Sequence, residues 1–240
     1  MIDLYLGDCR DKIKDIPHKS IDLILTDPPY NIASGNKLTL VGNKPTYNRK
    51  AWGNDFQDHW ETIRDYAIWL DDIVSSWLPL LKDTGSIIMF LDRNYSGMFI
   101  VHLQNLGLMP RQKLYFEKLN PIPHFRKTNY RSCIEEAVWF SVSDNFTLNF
   151  SSQQEMTQLF KGYIGVTAKE TDHPTEKYRW MIAPLILNHS NEGDMVFDPF
   201  AGSGTVPVIC KSLQRDCIAC ELNPKFYKIM EQRMQQDYLF

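Results

Sequence analysis

Residues 195–205 read MVFDPFAGSGT and give the strongest indication of architecture in the chain. An apolar strand ends at Asp198, a turn carries Gly202 and Gly204, and a helix is expected to begin at Thr205. This strand-turn-helix order is typical of α/β proteins, whose ligands bind outside the carboxyl ends of parallel strands. The motif therefore predicts a ligand site beside Asp198.

A second acid, Glu221, ends the next apolar run, nineteen residues after Gly202. Dinucleotide-binding folds place a ribose-binding acid at about this spacing. The pattern stops at Gly204, however, and the third glycine of a pyrophosphate cradle is missing. S-adenosylmethionine has a ribose but no pyrophosphate, so the pattern favours it over NAD. For this motif alone, a plain strand-to-helix turn with a surface acid is the alternative interpretation.

Apolar runs typical of buried strands alternate with stretches of helical spacing. The predicted strands are residues 21–26, 86–91, 113–116, 137–140, 195–197 and 216–220, and the predicted helices are residues 60–81, 95–106, 177–187, 205–213 and 226–234. This alternation predicts a mostly parallel sheet covered by helices. The polar segments 31–55 and 141–172 interrupt it and are expected to be functional loops or small insertions.

The composition is that of one folded domain, with 240 residues, 43% hydrophobic and 23% charged. A net charge of −3 argues against a protein that coats nucleic acid non-specifically, so any such contact must be local. Without a signal-peptide pattern or a bilayer-length apolar run, the protein is expected to be cytoplasmic and free of membrane contact. Cys217 and Cys220 have zinc-ligand spacing, but they lie on opposite faces of a predicted strand; we expect core thiols and no metal.

The first long apolar run leads directly into Asp27-Pro28-Pro29-Tyr30. The prolines fix the backbone and lack N–H donors, so carbonyl acceptors stand beside the Asp27 carboxylate. The exocyclic amine of adenine or cytosine is a poor nucleophile because its lone pair is delocalised into the ring. Hydrogen bonds to Asp27 and to the Pro28 carbonyl would direct that lone pair at a methyl donor. An ordinary strand-ending turn is the alternative for the tetrapeptide alone.

A base can reach such a site only outside the duplex, and methyltransferases are among the enzymes that flip their target. Tyr30 is the expected stacking partner of the flipped base. Methylation of a ring carbon would require a nucleophile, typically cysteine, and none of the five cysteines stands in such a motif. The residues therefore favour methylation of an amine.

Together these motifs resemble the β group of amino-methylating DNA methyltransferases, in which the catalytic motif precedes the cofactor motif. The resemblance covers nearly the whole chain and implies one methyltransferase domain over residues 1–240. The implied architecture is a three-layer Rossmann-like α/β fold with a mostly parallel seven-stranded sheet and a circularly permuted motif order. The implied reaction is transfer from S-adenosylmethionine to N6 of adenine in DNA, because Asp rather than Ser before Pro-Pro-Tyr resembles the adenine enzymes.

The resemblance also assigns site residues. Asp8 matches an acidic position near the cofactor's adenine, Glu221 the acid that binds the ribose, and residues 173–177, HPTEK, a segment at the cofactor's carboxylate end. The implied catalytic residues are Asp27, Pro28, Pro29 and Tyr30. The implied cofactor-binding residues are Asp8, Asp27, His173, Thr175, Lys177, Asp198, Phe200, Ala201, Gly202, Ser203, Gly204, Thr205 and Glu221.

DNA contacts are expected in two basic segments. Residues 111–131, RQKLYFEKLNPIPHFRKTNYR, carry six basic residues against one acid, with aromatic residues between them. Residues 31–55 are expected to be a mobile loop that closes over the substrate. Solvated surface charge is the alternative for the first segment. The candidate DNA contacts are Lys37, Lys44, Arg49, Lys113, Arg126, Lys127 and Arg131.

Two departures from the family pattern leave questions open. Tyr178 stands where proline is usual, and residues 141–172 are short for a target-recognition insertion. A second copy of the chain or a second methyltransferase subunit is therefore a candidate partner, as is a cognate restriction endonuclease. The alternative functions are an N4-cytosine DNA methyltransferase, a non-catalytic DNA-binding subunit and, least favoured by the glycine pattern, an NAD-linked oxidoreductase.

Overall fold

The structure is a computed structural model that describes residues 1–30, 60–125, 127–165, 171 and 176–236, with the backbone alone of residues 37–41 and 44–48. The strands are β1 Ile2–Leu6, β2 Ile21–Thr26, β3 Lys37–Val41, β4 Lys44–Asn48, β5 Leu81–Phe90, β6 Met109–Lys118, β7 Ile134–Ser141, β8 Leu159–Gly162, β9 Met195–Asp198 and β10 Asp216–Glu221. The helices are α1 Cys9–Lys12, α2 Ile63–Trp77, α3 Ser96–Asn105, α4 Arg179–His189, α5 Thr205–Ser212 and α6 Pro224–Met234.

One sheet forms the centre of the molecule, with its strands in the order β1-β10-β9-β2-β5-β7-β6-β8. Within it only β7 runs antiparallel to its neighbours. The α/β fold with a mostly parallel sheet is thus confirmed, but the sheet has eight strands rather than the expected seven. Two of the eight, β1 and β8, are absent from the six strands predicted from the sequence, and β8 pairs parallel with β6 at the edge. It is four residues long and only partly buried, so it lacks the apolar run that would mark it in the sequence.

Helices cover both faces of the sheet and make three layers. Alternate residues of β2 separate the two faces: Ile24 packs in the cluster that contains Trp77 of α2 and residues of α3. Leu23 and Leu25 pack in the opposite cluster, with residues of α4, α5 and Met230 of α6. This period of two is the expected geometry of a strand buried on both faces.

Both polar segments contain regular structure. Within residues 31–55, β3 and β4 form a separate antiparallel pair. Within residues 141–172, β8 belongs to the main sheet, Phe146 packs edge-on against Trp139 at 5.0 Å, and the Asn149 side chain donates to two carbonyls at the end of α4. The described part of the second segment therefore lies against the body of the domain.

All five cysteines are free thiols and four of them are buried, including Cys217 and Cys220, the two expected to be core thiols. Cys217 and Cys220 are fully buried, free, and belong to the cores on opposite faces of the sheet. Among the described residues, no group of three or more His, Cys, Asp or Glu is placed to hold a metal ion. Nor does that part of the chain contain a helix long and apolar enough to cross a bilayer.

Candidate active site

Four acidic residues meet at one edge of the sheet, at the carboxyl ends of four neighbouring strands. Asp8 follows β1, Glu221 ends β10, Asp198 ends β9 and Asp27 follows β2, and these strands are adjacent in the order β1-β10-β9-β2. Parallel strands end at the same edge, so residues far apart in sequence converge there. This edge is the candidate active site.

A buried hydrogen bond joins the two sequence motifs. The Thr26 hydroxyl, on the last residue of β2, donates to Asp198 Oδ1 at 2.9 Å. The same oxygen accepts the Phe200 N–H at 3.2 Å, and Asp198 is only 3% exposed. Burial raises the pKa of Asp198 to about 7, although the bonds from Thr26 and Phe200 act to lower it. The two motifs are therefore one structural unit.

The segment 198–205, here named the glycine loop, is held by Glu221. One Glu221 oxygen accepts the Gly202 N–H at 2.8 Å and the other accepts the Asn223 N–H at 2.7 Å. The Ala201 N–H donates to the Cys220 carbonyl at 2.9 Å. Burial raises the pKa of Glu221, against the effect of these N–H donors. Each carboxylate oxygen retains a lone pair for a further donor.

Gly204 explains the second glycine of the motif. It caps α5 with φ of +82°, and a Cβ at this position would lie 2.5 Å from Met230 Cγ of α6. Left-handed backbone and close contact both require glycine here. This glycine therefore permits a close approach of the loop to helix α6.

Arg233 of α6 fixes the end of the glycine loop and was not among the predicted site residues. Its guanidinium is 3% exposed, donates to the Ser203 carbonyl at 2.9 Å and to Thr205 Oγ1 at 3.3 Å, and lies 3.9 Å from Glu176. Thr205 in turn donates to the Lys177 carbonyl at 3.0 Å. Ser203 and Thr205 are buried, so these side chains hold the loop in place. No local pattern connects residue 233 with residue 203, so the sequence carries no signal for this contact.

Residues 27–30, here named the Asp27 loop, are held by charges. The Tyr30 hydroxyl donates to Asp27 Oδ1, and Lys177 Nζ lies 3.0 Å from Asp27 Oδ2. Burial raises the pKa of Asp27, although the nearby Lys177 ammonium acts to lower it. The Asp27 side chain is 25% exposed, whereas Pro28 is buried. Lys177, assigned by resemblance to the cofactor's carboxylate end, has its ammonium on the carboxylate of Asp27 in this structure.

Two further residues complete this ionic cluster, and both were missed as site residues. Glu135, near the start of β7, lies 2.8 Å from Lys177 Nζ, and Lys118, the last residue of β6, lies 2.6 Å from Glu135. Burial would raise the pKa of Glu135, but Lys177 and Lys118 outweigh it and lower the pKa to about 2. In the sequence Glu135 stands beside Glu136 in an apolar strand, and nothing local distinguishes the two.

The other predicted residues lie outside the two loops. Asp8 caps α1 and its carboxylate is bound by Arg10, which lowers its pKa. Lys113, five residues before the end of β6, contacts Glu136 and the Ser96 hydroxyl, both at 2.9 Å. Lys127 and Arg131 are exposed. Outside the described residues lie Arg49, Arg126, His173, Thr175 and the side chains of Lys37 and Lys44.

The connection between β6 and β7, residues 119–133, lies at the same edge as Asp27. Since β7 is antiparallel to β5, its first residues lie beside the carboxyl end of β5. Four large apolar side chains are exposed on this connection: Leu119 at 47%, Ile122 at 70%, Phe125 at 42% and Tyr130 at 99%. Arg93, after β5, donates to the Ser132 hydroxyl at 2.9 Å and ties the connection to the sheet.

The edge has the chemistry expected of a site for S-adenosylmethionine. Asp198 and Glu221 are carboxylates at adjacent strand ends, and Glu221 retains lone pairs suited to vicinal hydroxyls. Asp8 and Asp27 are paired with Arg10 and Lys177, so Glu221 and Asp198 are the acids that would favour a cationic sulfonium over a pyrophosphate. Glu221, Asp198 and the glycine loop are the described residues that would hold it.

Comparison with known proteins agrees with this geometry. Residues 21–232 match the N6/N4 methyltransferase family described as DNA methylase, so the chain belongs to that family of amino-methylating DNA methyltransferases. The type II methyltransferase M.HinfI of Haemophilus influenzae is 29% identical over 96% of this chain and 67% of its own length. The cofactor of the chain is S-adenosylmethionine.

Two solved structures show the same fold. The M1.HpyAVI–SAM complex superposes with a TM-score of 0.75 at 22% identity, covering 98% of this chain and all of that one. The PvuII DNA methyltransferase, named as cytosine-N4-specific, gives a TM-score of 0.79 at 16% identity, covering 100% of this chain and 88% of that one. The Rossmann-like methyltransferase fold expected from the sequence is thus confirmed.

Proposed function

We propose that the chain methylates N6 of adenine in DNA, with Asp27 and the Pro28 carbonyl as acceptors for the target amine. The observation that carries the proposal is the bond between Thr26 and Asp198. It holds the strand end that precedes Asp27 against the first residue of the glycine loop, which supports an arrangement in which an amine bound by one loop is near a methyl donor bound by the other. Orientation of this kind supplies a large part of the rate of a bimolecular transfer.

The residues of the Asp27 loop would act on the target base alone. S-adenosylmethionine supplies an electrophilic methyl group when bound. Asp27 and the Pro28 carbonyl accept hydrogen bonds from the amine and orient its lone pair, and Tyr30 stacks on the base. Because burial favours the protonated form of Asp27, the Lys177 ammonium is needed to keep this acceptor ionised.

Adenine is preferred to cytosine because Asp27 precedes Pro-Pro-Tyr, as in the adenine enzymes that the sequence resembles. Cytosine N4 is the second candidate, since the fold matches that of the cytosine-N4-specific PvuII enzyme. Both amines present two N–H donors to the same acceptors, so the choice depends on the pocket around the ring. A non-catalytic DNA-binding subunit would have no need for an acceptor loop joined to a cofactor loop.

We place the DNA on the connection 119–133, with residues 31–55 as a loop that closes over it. Lys127 and Arg131 would contact phosphates, and the exposed Tyr130 would stack in the gap left by the flipped base. Arg126, Lys37, Lys44 and Arg49 belong to the same proposal from the sequence. Lys113 is satisfied by Glu136 and Ser96, and DNA would have to displace those contacts to bind it.

The single-domain arrangement over residues 1–240 leaves residues 141–172 as the candidate target-recognition segment. Phe146 and Asn149 fasten its first part to the domain, and strand β8 joins the main sheet. We therefore propose that a second copy of the chain or a separate subunit contributes to sequence recognition. A cognate endonuclease would complete a restriction-modification pair.

The test is methylation with labelled S-adenosylmethionine and mixed genomic DNA, followed by nucleoside digestion and mass spectrometry. The expected product is N6-methyladenine. Label on N4 of cytosine would replace adenine by the second candidate. Absence of label from DNA, with the cofactor bound by the same preparation, would contradict the proposal and favour a non-catalytic subunit.

A further inference from the structure

Four alternating charges form a chain that ends at the catalytic loop. Lys118, Glu135, Lys177 and Asp27 come from β6, β7, the segment before α4 and the loop after β2. Successive contacts are 2.6 Å, 2.8 Å and 3.0 Å. All four side chains are at least three quarters buried, with 14 to 25% of each exposed. Such a chain is costly unless every charge is paired, because each ion loses its hydration.

We propose that Glu135 is a positioning residue for methyl transfer. It shares the Lys177 ammonium with Asp27 and so weakens the ion pair between Lys177 and Asp27. This role rests on the proposed function of Asp27 as acceptor for the target amine. Lys118 is the outer cation that keeps Glu135 in place. Neither Glu135 nor Lys118 touches the reacting groups.

The need for Glu135 follows from the two oxygens of Asp27. Oδ1 accepts the Tyr30 hydroxyl, and Oδ2 faces Lys177. An isolated buried ammonium would bind Oδ2 as a tight charge-assisted pair and compete with the amine of the base. Because Lys177 is shared between Asp27 and Glu135, it compensates the charge of Asp27. The Asp27 carboxylate can then still accept a further hydrogen bond.

The two partners act on the Asp27 carboxyl in opposite directions. The groups that face it are Tyr30 and Lys177, with Glu135 beyond Lys177 and Asp198 behind Thr26. A neighbouring cation favours the ionised carboxylate, whereas a neighbouring anion favours the protonated form. Removal of Lys177 and removal of Glu135 must therefore shift the ionisation of Asp27 in opposite senses.

The experiment measures kcat against pH for the wild type, Glu135→Gln, Lys177→Met and Lys118→Met, at saturating S-adenosylmethionine and DNA. In Glu135→Gln the acid limb should move to lower pH by about one unit, and the plateau kcat should fall about tenfold. In Lys177→Met the limb should move to higher pH. Lys118→Met should move the acid limb to higher pH by a smaller amount. Without Lys118, Glu135 pairs more strongly with Lys177 and so weakens the pairing of Lys177 with Asp27. The dissociation constant for the cofactor should change less than about threefold in Glu135→Gln.

Movement of the limb in the same direction in Glu135→Gln and Lys177→Met would overturn the role, because a general structural defect gives no opposite signs. An unchanged kcat and limb in Glu135→Gln would also overturn it. If Glu135→Gln does not fold, the Lys118→Met profile decides alone, and an unshifted limb contradicts the role. Failure of the wild type to methylate DNA overturns the proposed function and this role with it, and is recognised before any variant is compared.

Discussion

The glycine loop and the Asp27 loop lie side by side on one sheet edge but are built differently. Backbone N–H groups and buried side chains hold the glycine loop, with Glu221 on Gly202 and Arg233 on Ser203. Ion pairs between side chains hold the Asp27 loop, through Lys177. The glycine loop is therefore a rigid cradle. In the Asp27 loop, the neighbouring ion pairs determine how readily the Asp27 carboxylate accepts a hydrogen bond.

The two loops are therefore expected to respond differently to substitution. Removing a side chain from the ionic cluster leaves a largely buried charge without its partner and changes the ionisation of Asp27, but the surrounding backbone bonds stay in place. Removing one from the cradle leaves buried donors or acceptors without partners, which costs stability as well as affinity. The following variants separate these two effects.

Asp27→Ala should give the largest effect, a loss of methyl transfer of about 10³-fold or more, because it deletes the acceptor that orients the target amine. Cofactor affinity should stay close to that of the wild type. The measurements are single-turnover methylation and calorimetric titration with S-adenosylmethionine. Glu192→Ala, an exposed acid before β9, is the matched control. Equal losses of transfer and of cofactor affinity would remove Asp27 from the proposed role.

Asp198→Asn tests the buried acid between the loops through the pH dependence of stability. Folding raises the pKa of Asp198 from an ordinary 3.8 to about 7, so it favours the protonated acid. The stability contributed by Asp198 is then fully present below about pH 4 and is lost as the pH rises through about 7.

In Asp198→Asn this loss should disappear, and the decline in unfolding free energy from pH 4 to pH 8 should shrink by as much as about 4 kcal/mol. Urea titrations of both proteins across this range measure it. A variant whose decline is as steep as that of the wild type would show that Asp198 titrates normally.

Arg233→Met should destabilise the cradle by about 2–3 kcal/mol, because it removes a buried guanidinium from the Ser203 carbonyl and the Glu176 carboxylate. Cofactor affinity should fall with it. Thermal melts with and without S-adenosylmethionine report both effects. Lys228→Met, an exposed position on α6, controls for the change of charge and helix propensity. A stable Arg233→Met protein with normal affinity would separate α6 from the site.

Glu221→Ala should weaken cofactor binding about tenfold while leaving the rate at saturating cofactor within about threefold. It removes the acceptor of the Gly202 N–H and the proposed acceptor of the ribose hydroxyls. Titration with S-adenosylmethionine measures the affinity, with the exposed Glu231→Ala as control. An unchanged dissociation constant would exclude Glu221 from the cofactor site.

The site residues that could be predicted from the sequence are those that stand at the ends of strands. Asp27, Asp198 and Glu221 each end an apolar run, and the parallel sheet necessarily brings such residues to one edge. Strand β8 escaped prediction because its four residues are held by pairing with β6 and carry little apolar pattern. Three site residues could not be predicted for a similar reason: Lys118, Glu135 and Arg233. Each acts through partners distant in the chain, and a single residue carries no periodic pattern.

The most direct test of the division between the loops measures cofactor affinity and saturating kcat on the same preparations of Asp27→Ala and Glu221→Ala. We expect opposite outcomes, with Asp27→Ala losing kcat at near-normal affinity and Glu221→Ala losing affinity at near-normal kcat. Parallel losses of both quantities in both variants would contradict it, because the two loops would then act as one binding site without separate roles.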